Sequence, residues 1–443
     1  MLLNLSDYVQ IHNPGSFIRR GNIDQRVLQR FVLTKSRVFP QGDDIPKPPP
    51  WPTPATPLVA QISTLVQSSG VPLLTANFSF SPGLGNLMFQ YASMYALSKP
   101  SNANIIIPNN ILLRRAFWLP AAKLANNVTL DRVVRLARWR RVYARDCCRY
   151  YLPVVDWLAV NLTTNSSSTS ESQTNHILYS KSGRVINKYA KDALLHRPRH
   201  DEIASETNLT VNNPLDPGPP TDRVILFGYF QSWRYFDTIR SDILQEFDFL
   251  PDIRQRAAKL IQAAVKEAKV DSNRVTLVGV HVRHGMDMTH NMRNVEHGHT
   301  AAPPLYYLNA MSEFERRYPS KRIVYIVFSD SVYWARQNFP TVLNESSHGG
   351  STDSRRSHAV DTESSAKRLI VHANSGYREV DLCALASLNH LIISQGTYSW
   401  WAGYLSGGDV IYYNGWPRRG SKMDQMLNRT DYFHPSWYGM EGV

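Results

Sequence analysis

His281, Arg283, His284 and Asp287 fall within seven consecutive residues, directly after the apolar, β-branched run Val275–Val280. Such a run reads as a strand buried on both faces of a parallel sheet, and Gly285 lets the chain turn where the polar residues begin. In open α/β sheets, ligands sit beyond the carboxyl ends of strands. An arginine there suits an anion, because its planar fork meets phosphate oxygens in pairs; a basic surface loop would carry the same residues. Ser329-Asp330 ends a second apolar run, Ile323–Phe328, with a carboxylate able to accept from a base or a ribose hydroxyl. Thr397, Tyr398 and Ser399 open a helix after the strand Leu391–Ile393. Hydroxyls and N–H groups at that position hold phosphate or merely cap the helix. Asp381 stands in the first turn of another helix. Three polar loops at strand ends of one sheet point together to an anionic ligand.

Two stretches of the first half add to this set. Leu73–Phe80 can form a strand, Ser81–Asn86 is a turn containing Gly83 and Gly85, and Leu87–Leu97 carries Met88, Tyr91, Ala92, Tyr95 and Ala96 on one helical face. The turn either brings backbone N–H groups close to a ligand or is only a tight connection. The strand Arg223–Phe227 leads into Gly228–Phe236, an aromatic loop with a single amide side chain, Gln231. Aromatic faces with few polar groups suit a sugar ring, and equally a core cluster.

The elements that must position these residues alternate between strand and helix. The chain of 443 residues is long enough for two domains plus extra segments. Residues 1–72 are weakly patterned and end in a Pro-rich, extended linker. Residues 73–270 and 271–443 each read as an α/β unit, with the boundary near Val270. Ala116–Arg149, with Arg132, Arg135, Arg138, Arg140, Arg141 and Arg145, reads as a basic helical face over the first sheet. Ile239–Val270 reads as one helix, Met288–Ala302 as a disordered loop, Pro304–Tyr318 as a helix, and Asp409–Tyr413 as the strand that closes the second sheet. The Ser/Thr/Asn-rich stretches Asn161–Thr174, Asn208–Thr221 and Asn344–Glu363 read as loops or insertions.

The formal charge of +13 and pI of about 9.6 favour an anionic partner. No basic helix interleaved with aromatics, no zinc spacing and no RNP-like strand is present, so no nucleic-acid partner is expected. Three cysteines, Cys147, Cys148 and Cys383, make neither a dense disulfide framework nor a zinc site. No motif supports a catalytic metal. No apolar run is long enough to span a bilayer, and Met1–Asn22 has no signal-like core. Against this, Asn4, Asn77, Asn127, Asn161, Asn165, Asn208, Asn344 and Asn428 each stand in N-x-S/T sequons, which hint at a lumenal, glycosylated protein.

Taken as an ordered set, these stretches resemble a known family. Gly-Leu-Gly-Asn-x-Met-Phe-Gln-Tyr-Ala within Ser81–Leu97 resembles the N-terminal motif of the galactoside α-1,2-fucosyltransferases, glycosyltransferase family 11. Gly228–Phe236 resembles a second motif of that family. His281-Val-Arg283 resembles the start of its His-x-Arg-Arg-x-Asp signature, shared more loosely with α-1,6- and protein-O-fucosyltransferases. Phe328-Ser-Asp330, Asp381–His390, Gly396–Leu405 and Gly407-Gly-Asp409 resemble the later blocks, and the whole spans Leu73–Trp416. The resemblance implies an α/β, GT-B-like fold of two facing Rossmann-like domains with a cleft between them. It further implies inverting transfer of L-fucose from GDP-β-L-fucose to the 2-OH of a terminal β-galactoside on a glycan, with no metal and no cofactor beyond the donor, in the Golgi.

On that reading Arg283, Thr397, Tyr398 and Ser399 hold the diphosphate, and Gly83, Gly85 and Asn86 face them from the first domain. Ser329, Asp330 and Asp381 lie along the nucleotide; Tyr229, Phe230 and Gln231 shape the acceptor pocket; Asp287 or His281 is the base. Two departures stand out: the second signature arginine is His284, and the acidic residue comes one place late, at Asp287. The family's membrane anchor is not visible either. Two rivals stay open: a core α-1,6- or protein-O-fucosyltransferase, against which the Gly396–Trp401 block argues, and a non-catalytic protein that binds glycans or nucleotide sugars, which the His284 substitution favours.

Overall fold

The computed structural model describes residues 71–79, 82–125, 139–144, 147–163, 223–271, 274–342 and 368–442. The Pro-rich linker, the expected loops within 164–222 and 344–363, and Asn4, Asn127, Asn165, Asn208 and Asn344 lie outside them. The fold is α/β and GT-B-like, built on two parallel sheets. The first comprises β1 (Leu73–Ala76), β2 (Asn104–Pro108), β3 (Ala122–Ala125), β4 (Arg140–Ala144) and β5 (Arg223–Gly228), in the order β3-β2-β1-β5-β4. Every residue of β1 is buried, as a central strand covered on both faces requires. Helix α1 (Leu84–Ser98) follows β1, and α2 (Leu152–Thr163) follows β4. Asn161 falls in the last turns of α2.

A crossover of α3 (Arg240–Glu246) and α4 (Pro251–Glu267) leads to the second sheet. Its first strand is β6 (Val275–Val282). Short helices α5 (Met286–Thr289) and α6 (Met292–His297) come next, then α7 (Pro304–Arg317), β7 (Arg322–Ser329), α8 (Val332–Asn338) and β8 (Leu369–His372). Helix α9 (Arg378–Ala386), β9 (His390–Ile393), α10 (Thr397–Ser406), β10 (Val410–Tyr413), α11 (Lys422–Met426), α12 (Arg429–Tyr432) and β11 (Tyr438–Met440) complete it. The strand order is β11-β10-β9-β6-β7-β8, all parallel. Strand order therefore reverses between β6 and β9, the switch point where open α/β sheets take ligands. The register pairs Val282 with Ser329, so Arg283 and Asp330 leave the sheet side by side.

The two sheets are joined through helices rather than separated by an open gap along their whole length. Helix α1 lies against α10. A Cβ on Gly85 would fall 2.6 Å from both the carbonyl carbon of Thr397 and the amide nitrogen of Tyr398, so only glycine permits this approach. Trp401 Nε1 donates to Gly85 O at 3.0 Å. Phe89 of α1 packs 4.5 Å from the Trp400 ring and 5.1 Å from Trp401, with Phe236 and Tyr404 in the same cluster. One continuous core thus runs through both units.

Several expectations are corrected. Of the expected helical cover Ala116–Arg149, residues 126–138 and 145–146 lie outside the described residues, and the described parts contribute β3 and β4 to the edges of the first sheet. Charged residues suit such edges, which otherwise invite pairing with another chain. Ile239–Val270 is two helices, because Pro251 starts α4 at its first turn and cannot sit inside a longer one. Met288–Ala302 is largely helical, with Asn291 accepting from Arg293 N and Asn294 N as an N-cap. Strand β10 does not close the second sheet; β11 pairs outside it. Helix α4, placed by sequence in the first unit, packs on α9 and β8 of the second. Cys147 and Cys148 are joined by a disulfide, and Cys383 is free and buried.

Gly85→Ala is expected to destabilise the chain by about 1–3 kcal/mol, because α1 and α10 must part at their closest point. Urea unfolding followed by fluorescence of the seam tryptophans should show a lower midpoint with an unchanged slope.

Candidate functional site

Arg283 is built into the switch point by its own backbone. Its N–H donates to Ser394 Oγ at 3.1 Å, and its carbonyl accepts from Gln395 Nε2 at 2.8 Å. The residue after β6 is therefore fastened to the loop between β9 and α10. Its guanidinium, 35% exposed, reaches two carboxylates: one nitrogen pairs with Asp330 Oδ2 and the other with Asp287 Oδ2. Asp330 Oδ1 also accepts from His284 N at 2.7 Å. A Cβ on Gly285 would lie 2.6 Å from Asp330 Oδ2 and 2.9 Å from Asp287 Oδ1, so glycine makes room for the converging carboxylates. The cluster holds one guanidinium and two acidic side chains, and its fork is already occupied from both ends.

The histidines of the loop do not act as cations. His284 stacks on Trp334, with ring centroids 4.0 Å apart, and burial lowers its pKa. It does not replace the charge of the arginine expected there. His281 is buried, and burial pushes it down to about 4, with Asp330 acting in the opposite direction. Its Nδ1 lies 2.5 Å from Ser399 Oγ. His299, which the sequence reading did not single out, is also pushed down to about 4 by burial and by His297 beside it. It accepts from Trp416 Nε1 at 3.4 Å.

The hydroxyls that open α10 turn inward. Ser399 is fully buried and its Oγ also meets Ser394 Oγ at 3.2 Å. Tyr398 donates to Arg378 O at 2.7 Å, and burial raises its pKa. Thr397 donates to Asn86 Oδ1 at 2.7 Å, across the seam. None of the three hydroxyls is presented to a phosphate. What the start of α10 offers an anion is backbone N–H groups and the positive end of its dipole. Gly396, at φ +93°, supplies the turn into it.

Other expected residues divide similarly. Gly83 is exposed, whereas Gly85 is buried in the seam. Asn86 is the joint between units: its Oδ1 accepts from Thr397 and, at 2.8 Å, from Gln231 Nε2. Gln231 is 5% exposed, and the Phe230 ring lies in the core against Tyr235. Neither side chain lines an open acceptor pocket; Tyr229 is half-buried. Ser329 Oγ accepts from Ser331 N at 2.9 Å. Asp381 accepts from Ser375 N at 2.8 Å, and burial raises its carboxyl to about 6. Beside them, a cavity of about 220 Å³ opens at the ends of β7 and β8, lined by Ser329, Val332, Arg336, His372, Asn374 and Leu260 of α4. Ser394 and Gln395 were missed in the sequence, although they follow β9 as Ser329-Asp330 follow β7. Among the described residues, no group of three or more His, Cys, Asp or Glu is placed to hold a metal.

A family model, Glycosyl transferase family 11, matches residues 220–441, half of the chain. The chain belongs to that family. Galactoside alpha-(1,2)-fucosyltransferase 2 of Hylobates lar is 32% identical over 225 residues, covering 50% of this chain and 56% of that one. The protein of the same name from Bos taurus is 25% identical over 358 residues, covering 81% and 76%. The family 11 chain thus spans little more than half the length of the first relative. A mutant of Arabidopsis thaliana FUT1 in complex with GDP is similar in structure at a TM-score of 0.39 and 11% identity, covering 87% of this chain and 77% of that one.

Burial of neutral His281 makes stability pH-dependent. An unfolded histidine titrates near 6.5 and this one at about 4, so the unfolded state binds the extra proton between those values. Stability is fully present above the unfolded pKa and is lost as pH falls toward 4. Between pH 7 and pH 5 the loss from this group is about 2 kcal/mol. Urea titrations at the two pH values should show it, and His281→Gln should show a shallower dependence.

Proposed function

We propose that the chain transfers L-fucose from GDP-β-L-fucose, with inversion, to the 2-OH of a terminal β-galactoside on a glycan, in the Golgi lumen. The observation that carries the donor side is the position of Arg283, beyond the first strand of a sheet whose order reverses there, with its backbone fastened to Ser394 and Gln395 in the loop that leads into α10. On this reading the diphosphate lies between that guanidinium and the N–H groups of α10, helped by Ser394 and Gln395. The guanosine extends toward the ends of β7 and β8, near Ser329, Asp330, Asp381 and the cavity of about 220 Å³. Family membership and the names of the relatives support the fucosyl donor and the galactoside acceptor. Asn77, half-buried at the end of β1, and Asn428, exposed at the cap of α12, are the sequon residues of the described chain outside α2. They are proposed to carry glycans if the chain is lumenal. No described helix is long and apolar enough to cross a membrane.

In the reaction the acceptor oxygen attacks the anomeric carbon, the bond from that carbon to the β-phosphate oxygen breaks, and GDP leaves with the electron pair. Arg283 stabilises the charge that grows on the phosphate. The hydroxyl proton needs a base. His281 is enclosed and engaged with Ser399, which makes it a positioning residue rather than a base. Asp287 is tied to Arg283 until a diphosphate takes the guanidinium. Asp330 has a second anchor in His284 N, so Asp287 is the carboxylate that yields. Its release at that moment places a free carboxylate beside the donor. Thr397, Gln231 and Asn86 serve by holding the two units in register, and Phe230 by packing beneath Gln231's loop.

One rival has an observation in its favour. His284 stacked on Trp334 leaves the loop with a single guanidinium facing two carboxylates, which suits a protein that binds a nucleotide sugar without transferring from it.

Arg283→Ala should abolish transfer, and turnover of GDP-fucose against lactose-type, chitobiose-type and peptide acceptors, with linkage read by NMR, identifies the acceptor. Product on the galactoside alone supports the proposal; GDP binding with no product on any acceptor establishes the rival. Asp287→Asn should bind GDP more tightly in calorimetry, since a competitor for Arg283 is removed, while kcat falls about 10²–10⁴-fold if its carboxylate is the base. Weaker GDP binding by this variant would rule out the exchange at Arg283.

A further inference from the structure

The cavity at the ends of β7 and β8 is lined by apolar side chains from α4, the second sheet and α8: Leu260 and Ala263, Val327 and Ala373, and Val332. Its volume of about 220 Å³ has room for a two-ring heterocycle. Five polar or charged side chains line the same space, and most are already engaged. Asn374 uses both ends of its amide in its own loop: Nδ2 donates to Ser329 O at 3.2 Å, and Oδ1 accepts from Gly376 N at 2.7 Å. His372 donates through Nε2 to Phe339 O at 2.7 Å, and burial lowers its pKa. The neutral ring then offers the cavity only the acceptor Nδ1. Ser329 Oγ accepts from Ser331 N at 2.9 Å and still has its own proton to give.

Two charged groups remain. Glu267, the last residue of α4, and Arg336 of α8 are exposed, and no hydrogen bond or ion pair among the described residues engages either. They line one cavity without pairing with each other. An anion there would meet the carboxylate, and a cation would meet the guanidinium. The pair suits a neutral ligand that presents donors on one side and acceptors on another, held flat between apolar walls. Guanine has that form. Its N1–H and 2-amino group are donors, and its O6 and N7 are acceptors. Adenine reverses both sides, because its N1 accepts and its 6-amino group donates. Uracil has one ring and a single N–H flanked by two carbonyls.

We propose that Glu267 and Arg336 are the residues that select the base of the donor nucleotide. The Glu267 carboxylate accepts from N1–H and the 2-amino group of guanine, and the Arg336 guanidinium donates to O6 and N7. The inference rests on the donor site proposed above. Ser329 lines the cavity, and the next residue, Asp330, pairs with Arg283. Base and diphosphate therefore take neighbouring spaces, and the Ser329 hydroxyl is left for the ribose. Asp381 is not the reader: it accepts from Ser375 N and does not line the cavity.

The test is calorimetry on the full chain with GDP, IDP, ADP and UDP. IDP differs from GDP only in lacking the 2-amino group. GDP is expected to bind about tenfold to a hundredfold more tightly than IDP, the size of one hydrogen bond to a charged group, with ADP and UDP weaker still. Glu267→Ala should bind GDP and IDP alike. Arg336→Ala should weaken GDP and IDP by the same factor and leave their ratio unchanged. A general distortion of the cavity would not separate the two variants in this way. A GDP-to-IDP ratio that persists in Glu267→Ala would overturn the proposal. So would GDP affinity unchanged in Arg336→Ala, or ADP or UDP binding as tightly as GDP. If no nucleotide binds, the donor reading fails, and guanosine against inosine in saturation-transfer NMR decides the cavity. A guanosine preference that Glu267→Ala removes upholds the assignment; equal signals, or none, overturn it.

Discussion

The contact between α1 and α10 at Gly85 is the constraint on which the rest of the structure depends. A side chain at that position would occupy the backbone of Thr397 and Tyr398. Its absence lets the helix that follows the first strand of one sheet lie directly on the helix that starts at the switch point of the other. Phe89, Phe236, Trp400, Trp401 and Tyr404 then close around the crossing, where aromatic pairs contribute beyond their buried area. This seam also sets the rotation of α10 about its axis. That rotation decides which groups of its first turn face the polar crevice and which face the protein.

The electrostatics of the crevice follow from the sheet register. Because Val282 pairs with Ser329, Arg283 meets Asp330 without any adjustment of the loop. The short helix α5 then brings Asp287 to the other side of the same guanidinium. With His281, His284 and His299 held neutral by burial, the cluster carries one positive and two negative side chains. An anion entering it has to take a place that a carboxylate holds, which couples binding to the movement of a short, locally stabilised segment.

The polar links around Asn86 at the seam are shared. Asn86 accepts from one residue of each unit, and Gln231 stands between Asn86 and the adjacent cysteines. Such a chain is sensitive to any change in one member, since each buried group relies on the next. Residues that look like a ligand-binding set from their types are here the mortar between two halves.

The sequence by itself determined the alternation of strand and helix, the apolar run Val275–Val280 and the family to which the chain belongs. These rest on local pattern: β-branched runs, period-3.6 faces and turn residues. It did not show the edge strands β3 and β4, because Ala-Lys-Leu-Ala and Arg-Arg-Val-Tyr-Ala lack the apolar run of a central strand, and charge is what an edge prefers. It named Arg283, Asp287 and Asp330, and the tertiary structure brought them together. It also named Thr397, Tyr398, Ser399, Gln231 and Phe230 as ligand contacts, and there the tertiary structure decided otherwise. The direction of a side chain at a helix start is fixed by how that helix is rotated against its neighbours, and only the packing of α1 on α10 fixes that.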